Sequence, residues 1–255
     1  MTTRAHAYLA VCLSLVLLAA CATTTPPPKT AQASFNDGEA ALAAHRYEAA
    51  ITEFKKVRES YSSPELSTQA ELKIADAHFD NKAYIEAAAA YEDFKKLHPG
   101  NDKLPYVMYR LALSHYKQIT GIDTDQTPVA NAVAKFESFL NRYPDSPYAP
   151  DARQKLADCK VKQLEYENYV GSFYLRTGKL GSAIKRLSEA LLRFPNVAKL
   201  DQTLFYLAKA YKESGDKEQA RMILKRLETE FPQSPLNREA AKLKLGFAGS
   251  TSQRG

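Results

Sequence analysis

The sequence predicts an all-α fold, a solenoid of about five helical hairpins, and three observations carry that reading. A small residue followed four positions later by an aromatic or leucine recurs along the chain. The central alanines, Ala50, Ala87, Ala132, Ala183 and Ala220, are 37, 45, 51 and 37 residues apart. Periods of roughly 20–50 residues mark arrays in which one unit cannot bury its apolar face alone and stacking builds the core. Gly and Pro make up only 23 of 255 residues, which excludes low-complexity or collagen-like chains and disfavours tight hairpin turns. Ser-Pro pairs at 63–64, 146–147 and 234–235 each follow a helix stop, and each is expected to set an N-cap serine before a proline at the first helical position.

Taken in order, residues 1–20 read as a secretory signal peptide: Arg4, then an apolar run from Ala7 to Ala20 that is too short to span ~30 Å of hydrocarbon. The run closes on Leu18-Ala19-Ala20-Cys21, which resembles the bacterial lipobox. That resemblance implies cleavage before Cys21 and a covalent diacylglycerol and N-acyl chain on its thiol and amine. Each buried CH₂ of such chains adds ~0.8 kcal/mol of membrane affinity, so several chains would anchor the protein without a spanning helix. No other cofactor is expected. Ala22, with no Asp after the cysteine, resembles lipoproteins sorted to the outer membrane of Gram-negative bacteria. Residues 21–31 form the lipidated cysteine and a polar, Pro-rich tether that would reach about 30 Å at ~3.1 Å per residue.

Residues 32–145 carry the first three units, with Tyr47-x-x-Ala50-Ile51-x-x-Phe54 and Tyr84-x-x-Ala87-x-x-x-Tyr91 in the second helices of two of them. The third, divergent, has Ala132 and Phe136 and follows a turn-rich insertion at 120–128. Residues 146–246 hold a long connecting helix, two further units with Ala183 and Ala220, and a capping helix from Pro235 to about Gly246. The connecting helix is expected to run about 28 residues, ~42 Å at 1.5 Å per residue, because no Pro follows Pro150 before Thr177. Residues 247–255 are expected to be disordered. First helices carry Gly38, Ala75, Ala112, Gly171 and Ala208 at their small position, and these together resemble the tetratricopeptide (TPR) repeat.

Chemistry is hard to find. No HExxH, CxxC, GxSxG, P-loop or GxGxxG occurs, and the histidines are scattered, so neither an enzyme nor a metal site is expected. The net charge of +6 is spread too evenly to argue for nucleic acid. Of the three cysteines, Cys12 leaves with the signal and Cys21 is lipidated, so Cys159 is expected to be a buried structural thiol with no disulfide partner. Glu165 and Glu167 read as a solvated face between core aromatics Tyr166 and Tyr169.

Repeat arrays bind along the first helices. Positions around the small residue give Phe35, Leu72, Asp76, Phe79, Tyr106, Tyr109, Leu113 and Tyr116 in the N-terminal half. Two readings of the tyrosines stand: packing between helices, or a groove for an extended, aromatic-containing peptide whose carboxylate Lys103 or Arg110 could meet. The equivalent C-terminal positions, such as Asn168, Ser172 and Lys209, are mostly polar.

Lipobox, five repeats, the Pro105-Tyr106-Val107-Met108-Tyr109 run, the insertion and Arg142-Tyr143-Pro144-x-Ser146-x-Tyr148 together resemble the BamD family, TPR lipoproteins of the outer-membrane β-barrel assembly machinery. The resemblance implies a scaffold on the periplasmic face of the outer membrane. Its N-terminal units would receive C-terminal signals of unfolded outer-membrane β-barrel proteins, and its C-terminal units would dock the BamA POTRA region. It assigns a BamA contact to Arg186, to which Lys185 and Arg193 are added as neighbours, and leaves room for other Bam lipoproteins as partners. The competing expectation is another periplasmic TPR lipoprotein, acting in envelope division or in secretin or pilus assembly, with a peptidoglycan adaptor as a third.

Overall fold

The structure, a computed structural model, describes residues 29–61 and 63–248. The signal peptide, Cys21, most of the tether and residues 249–255 lie outside the described residues.

Eleven helices occupy the described residues, with no strand among them. They are α1 (Ala31–Ala43), α2 (Tyr47–Glu59), α3 (Pro64–Asp80), α4 (Tyr84–Leu97), α5 (Leu104–Lys117), α6 (Thr127–Arg142), α7 (Ala149–Arg176), α8 (Leu180–Arg193), α9 (Leu200–Glu213), α10 (Lys217–Glu230) and α11 (Asn237–Ala248). Each packs on its chain neighbours, and the first helices α1 and α3, α5 and α7, and α7 and α9 also touch. Five hairpins and a last helix result, the expected TPR-type solenoid. The connecting helix α7 has the expected 28 residues.

Local chemistry explains the helix ends. His98, Tyr143, Phe194 and Phe231 close α4, α6, α8 and α10 with φ between −124° and −134°, and each precedes a proline that bars the helical conformation. The turns inside hairpins 1, 2, 4 and 5 share one left-handed residue: His45, Lys82, Gly178 and Gly215. In each, its N–H and the next one return to carbonyls of the last turn, as Gly178 does to Leu175 and Lys179 to Tyr174. Of the three Ser-Pro pairs only Ser63 caps a helix, its Oγ accepting from Leu66 N at 3.3 Å. Ser146 and Ser234 instead sit in turns and accept from Tyr148 N and Leu236 N, and α7 and α11 begin three residues after each. Both carry a second turn, in which the serine carbonyl accepts the N–H of the residue three further on, before the helix starts.

Packing follows the repeat. Ala50, Ala87, Ala132, Ala183 and Ala220 are all fully buried, so the second helix of each hairpin lies close against the first. Two first helices need glycine for this: a Cβ on Gly38 would come within 2.6 Å of the Phe54 ring, and one on Gly171 within 2.6 Å of Leu187. Cys159 is buried as expected, and burial pushes its thiol up to about 12, far from a nucleophile's range.

Residues 165–169 depart from expectation. Glu167 is the buried member and Tyr169 the exposed one, at 43%. Glu167 is held by two arginines from α8, which satisfies a carboxylate that burial would otherwise penalise.

Candidate functional site

The N-terminal residues converge on Arg110, midway along α5. Its guanidinium lies 3.7 Å over the Phe79 ring, its Nε donates to the Tyr91 hydroxyl at 2.9 Å, and one terminal nitrogen donates to Asp80 at 3.0 Å. Asp76 accepts from the hydroxyls of Tyr91 at 2.5 Å and Tyr106 at 2.7 Å. Burial pushes the Asp76 carboxyl above its ordinary range, against the pull of those two hydroxyls and of Arg110. The same burial, with the adjacent Asp76 charge, raises both phenols. Asp76, Phe79 and Tyr106 therefore come together as expected. Arg110, read as available to a ligand carboxylate, is instead occupied by carboxylates of its own chain.

The next tyrosines reach across to α7. Tyr109 donates to Asp151 at 2.8 Å and stacks on Tyr148, ring centroids 4.9 Å apart. Burial first, and Asp151 second, push its phenol up to about 12. Tyr116 reaches Asp158 at 3.4 Å and meets the Phe136 edge, and the Lys155 ammonium lies 5.4 Å from its ring centroid. Leu113, half-buried, shares that face of α5. Of the two earlier readings, packing between helices is what these contacts show, and each tyrosine also keeps an edge open to solvent.

Phe35 and Leu72 face open space. Phe35 meets Phe54 edge-on and borders a cavity of about 730 Å³ with Leu66 and Gln69. Leu72 borders a second, about 540 Å³, with Phe94, Lys73 and Lys103. The two adjoin at Glu65 and Gln69. The eight groove residues thus divide into an open trough bordered by Phe35 of α1 and Leu72 of α3, and an aromatic–aspartate stripe of α3 and α5 whose hydroxyls are bonded within the chain.

In the C-terminal half, Arg186 on α8 places Nε 2.6 Å from Glu167 Oε2, as an ion pair off the hydrogen-bond axis, and its guanidinium is 5.5 Å from the Tyr166 ring centroid. Arg193 pairs with the other Glu167 oxygen, and Lys185 is exposed beside Arg186. One buried carboxylate so fixes two cationic heads on one surface. Of the equivalent positions on α7, Asn168 is buried, while Ser172 is half-buried and its Oγ donates to the Tyr169 carbonyl at 2.9 Å. Sequence reasoning missed Tyr91, Asp151 and Glu167 as organisers: Tyr91 and Glu167 read as repeat core and solvated face, and nothing local singled out Asp151.

Among the described residues no cluster of His, Cys, Asp and Glu could hold a metal, and no helix is long and apolar enough to cross a membrane.

Curated relatives named outer membrane protein assembly factor BamD include one from Caulobacter vibrioides, 30% identical over 68% of this chain and 56% of its own length. Others are from Vibrio cholerae, 28% identical over 80% of this chain and 89% of its own, and from Neisseria meningitidis serogroup A, 26% identical over 89% and 91%. Among solved structures, the TPR protein YrrB aligns at 16% identity over 84% of this chain and 92% of its own, with a TM-score of 0.37. The family described as YfiO, outer membrane lipoprotein, matches residues 27–227, nearly every hairpin described above, and the chain belongs to that family.

Proposed function

We propose that this protein is a non-catalytic scaffold, anchored through acyl chains on Cys21 to the periplasmic face of the outer membrane, that assists insertion of β-barrel proteins. The trough along Phe35 and Leu72, continued by the tyrosines of α5, receives the C-terminal signal of an unfolded barrel protein. The cationic face of α8 docks the POTRA region of BamA. Assembly roles named for the relatives support the process. The observation that carries the docking half is Glu167: a buried carboxylate that orients Arg186 and Arg193 presents cations with little ordering cost left to pay on binding.

Arg186→Glu removes the cation and sets a second negative charge beside Glu167, so co-purification of BamA from envelope extracts is expected to fall sharply; undiminished recovery excludes this contact. Leu72→Ser is expected to weaken binding of a synthetic C-terminal barrel peptide by ~1–3 kcal/mol, the scale of a buried anchor, read by fluorescence anisotropy. Cys21→Ala is expected to abolish palmitate labelling and release the protein into the soluble periplasmic fraction.

A further inference from the structure

The tether enters the first hairpin beside the turns that join one hairpin to the next. Lys29 pairs with Asp37 of α1 and, at 3.5 Å, with Glu53 of α2, so this tether residue is fixed against the domain. It borders the cavity of about 730 Å³ together with Ser60 and Ser63, which flank the turn from α2 to α3. The adjoining cavity of about 540 Å³ reaches Asn101 and Lys103, in the corresponding turn from α4 to α5. A third, of about 440 Å³, lies between Arg58 near the end of α2 and Lys96 and Leu97 at the end of α4. The tether and both turns therefore share one edge of the solenoid.

That edge is apolar at two tips and carries cations beside them. Tyr61 is 89% exposed, more than any other large apolar side chain among the described residues, and Leu97 is 65% exposed. The Tyr61 backbone is left-handed, φ 51°, a conformation that disfavours a residue with a Cβ. A chain that needed only a turn here would be served by glycine, as it is at Gly178 and Gly215. Arg58 has one loose pair, with adjacent Glu59 at 3.7 Å, and Lys96 has no carboxylate partner among the described residues. The anchor limits where this edge can lie. Eight residues separate Cys21 from Lys29, and fully extended they span at most about 29 Å. Helix α1 alone is about 20 Å long, so the tether's edge is kept near the lipid and the turn at His45 is held away from it. Tyrosine suits the headgroup level, and Lys and Arg suit lipid phosphates.

We propose that this edge of the first two hairpins rests on the phospholipid surface that holds the acyl chains, with Tyr61 and Leu97 in the headgroup layer and Arg58 and Lys96 on lipid phosphates. The inference rests on the acyl anchor proposed above and adds a side-chain contact to it, a second signal of the kind that makes lipid anchoring stable. The trough opens on the same edge. A peptide signal bound there is held at the surface its protein must enter.

The chain contains no tryptophan, so a single introduced indole reports on its own surroundings. The test places the full-length, acylated Tyr61→Trp variant on vesicles of phosphatidylethanolamine and phosphatidylglycerol, with and without lipids brominated high on the acyl chain. Ala43→Trp, exposed at the other end of α1 and held by the same tether, is the comparison. Both positions are exposed, so thermal melts of the two variants should match the parent. The Tyr61→Trp emission is expected to shift to the blue and to be quenched by bromine at least about twofold more than that of Ala43→Trp. Adding Arg58→Glu and Lys96→Glu should remove most of that quenching. If the protein floats with the vesicles but the two indoles are quenched alike, the edge contact is excluded and the anchor stands. If it does not float, both are overturned. Two other occupants would also overturn the inference: a blue shift without vesicles that disappears on dilution, which marks a second copy, or one that appears only when the POTRA region of BamA is added.

Discussion

Arg110 shows how one residue can tie three helices together at a cluster of aromatic and acidic side chains. Its guanidinium is flattened on Phe79 and bonded to Tyr91 and Asp80, and it compensates an Asp76 carboxylate that burial disfavours. Arg110→Ala leaves that carboxylate with two tyrosine hydroxyls and no cation beside it, so a loss of ~3–5 kcal/mol in urea denaturation is expected at pH 7. Because the folded-state pKa of Asp76 is raised, its favourable contribution is complete below the ordinary Asp value near 3.8 and is lost as pH rises through the raised value. The variant should therefore lose less stability at pH 4 than at pH 7; an equal loss at both would show that stacking on Phe79, not charge, dominates. Asp76, Phe79 and Tyr106 were legible because each holds a fixed offset from a repeat position. The role of Arg110 was not, since its partners sit 19 and 30 residues away and are brought to it by the stacking of three helices.

At the scale of the helices, the repeat pattern was readable because its cause is local. A fully buried alanine permits close approach, a bulky residue four positions on fills the space, and a proline ends the helix. Gly171 tests this rule. Gly171→Ala sets a Cβ against Leu187 and is expected to cost ~1–3 kcal/mol. Leu187→Ala alone is expected to cost ~2–5 kcal/mol, yet the pair together should cost less than the sum, because the smaller residue makes room for the added methyl. Strict additivity in chemical denaturation would mean the backbone shifts instead. The sequence misled where a helix face depends on a different helix. Glu167 and Tyr169 exchanged their expected environments because the arginines that draw Glu167 inward lie 19 and 26 residues downstream, and because α5 stops before it can cover Tyr169.

For the molecule as a whole, α7 is the strut between two halves to which the proposed function gives different tasks. The N-terminal hairpins pack on its beginning and the C-terminal hairpins on its end, and no loop interrupts its 28 residues. Such continuity was visible in the sequence as a long stretch free of proline. A strut of this kind transmits rotation. One residue added near Lys160, between the part gripped by Tyr116 and the part gripped by Leu187, would advance the far end by only about 1.5 Å but swing it through about 100°. Both halves would keep their own folds while the arginine face came to point elsewhere. On the function proposed above, barrel assembly in cells is then expected to fail even though peptide capture and POTRA binding, assayed separately, each survive, so the angular phase of one helix becomes as much a determinant of activity as any side chain it carries.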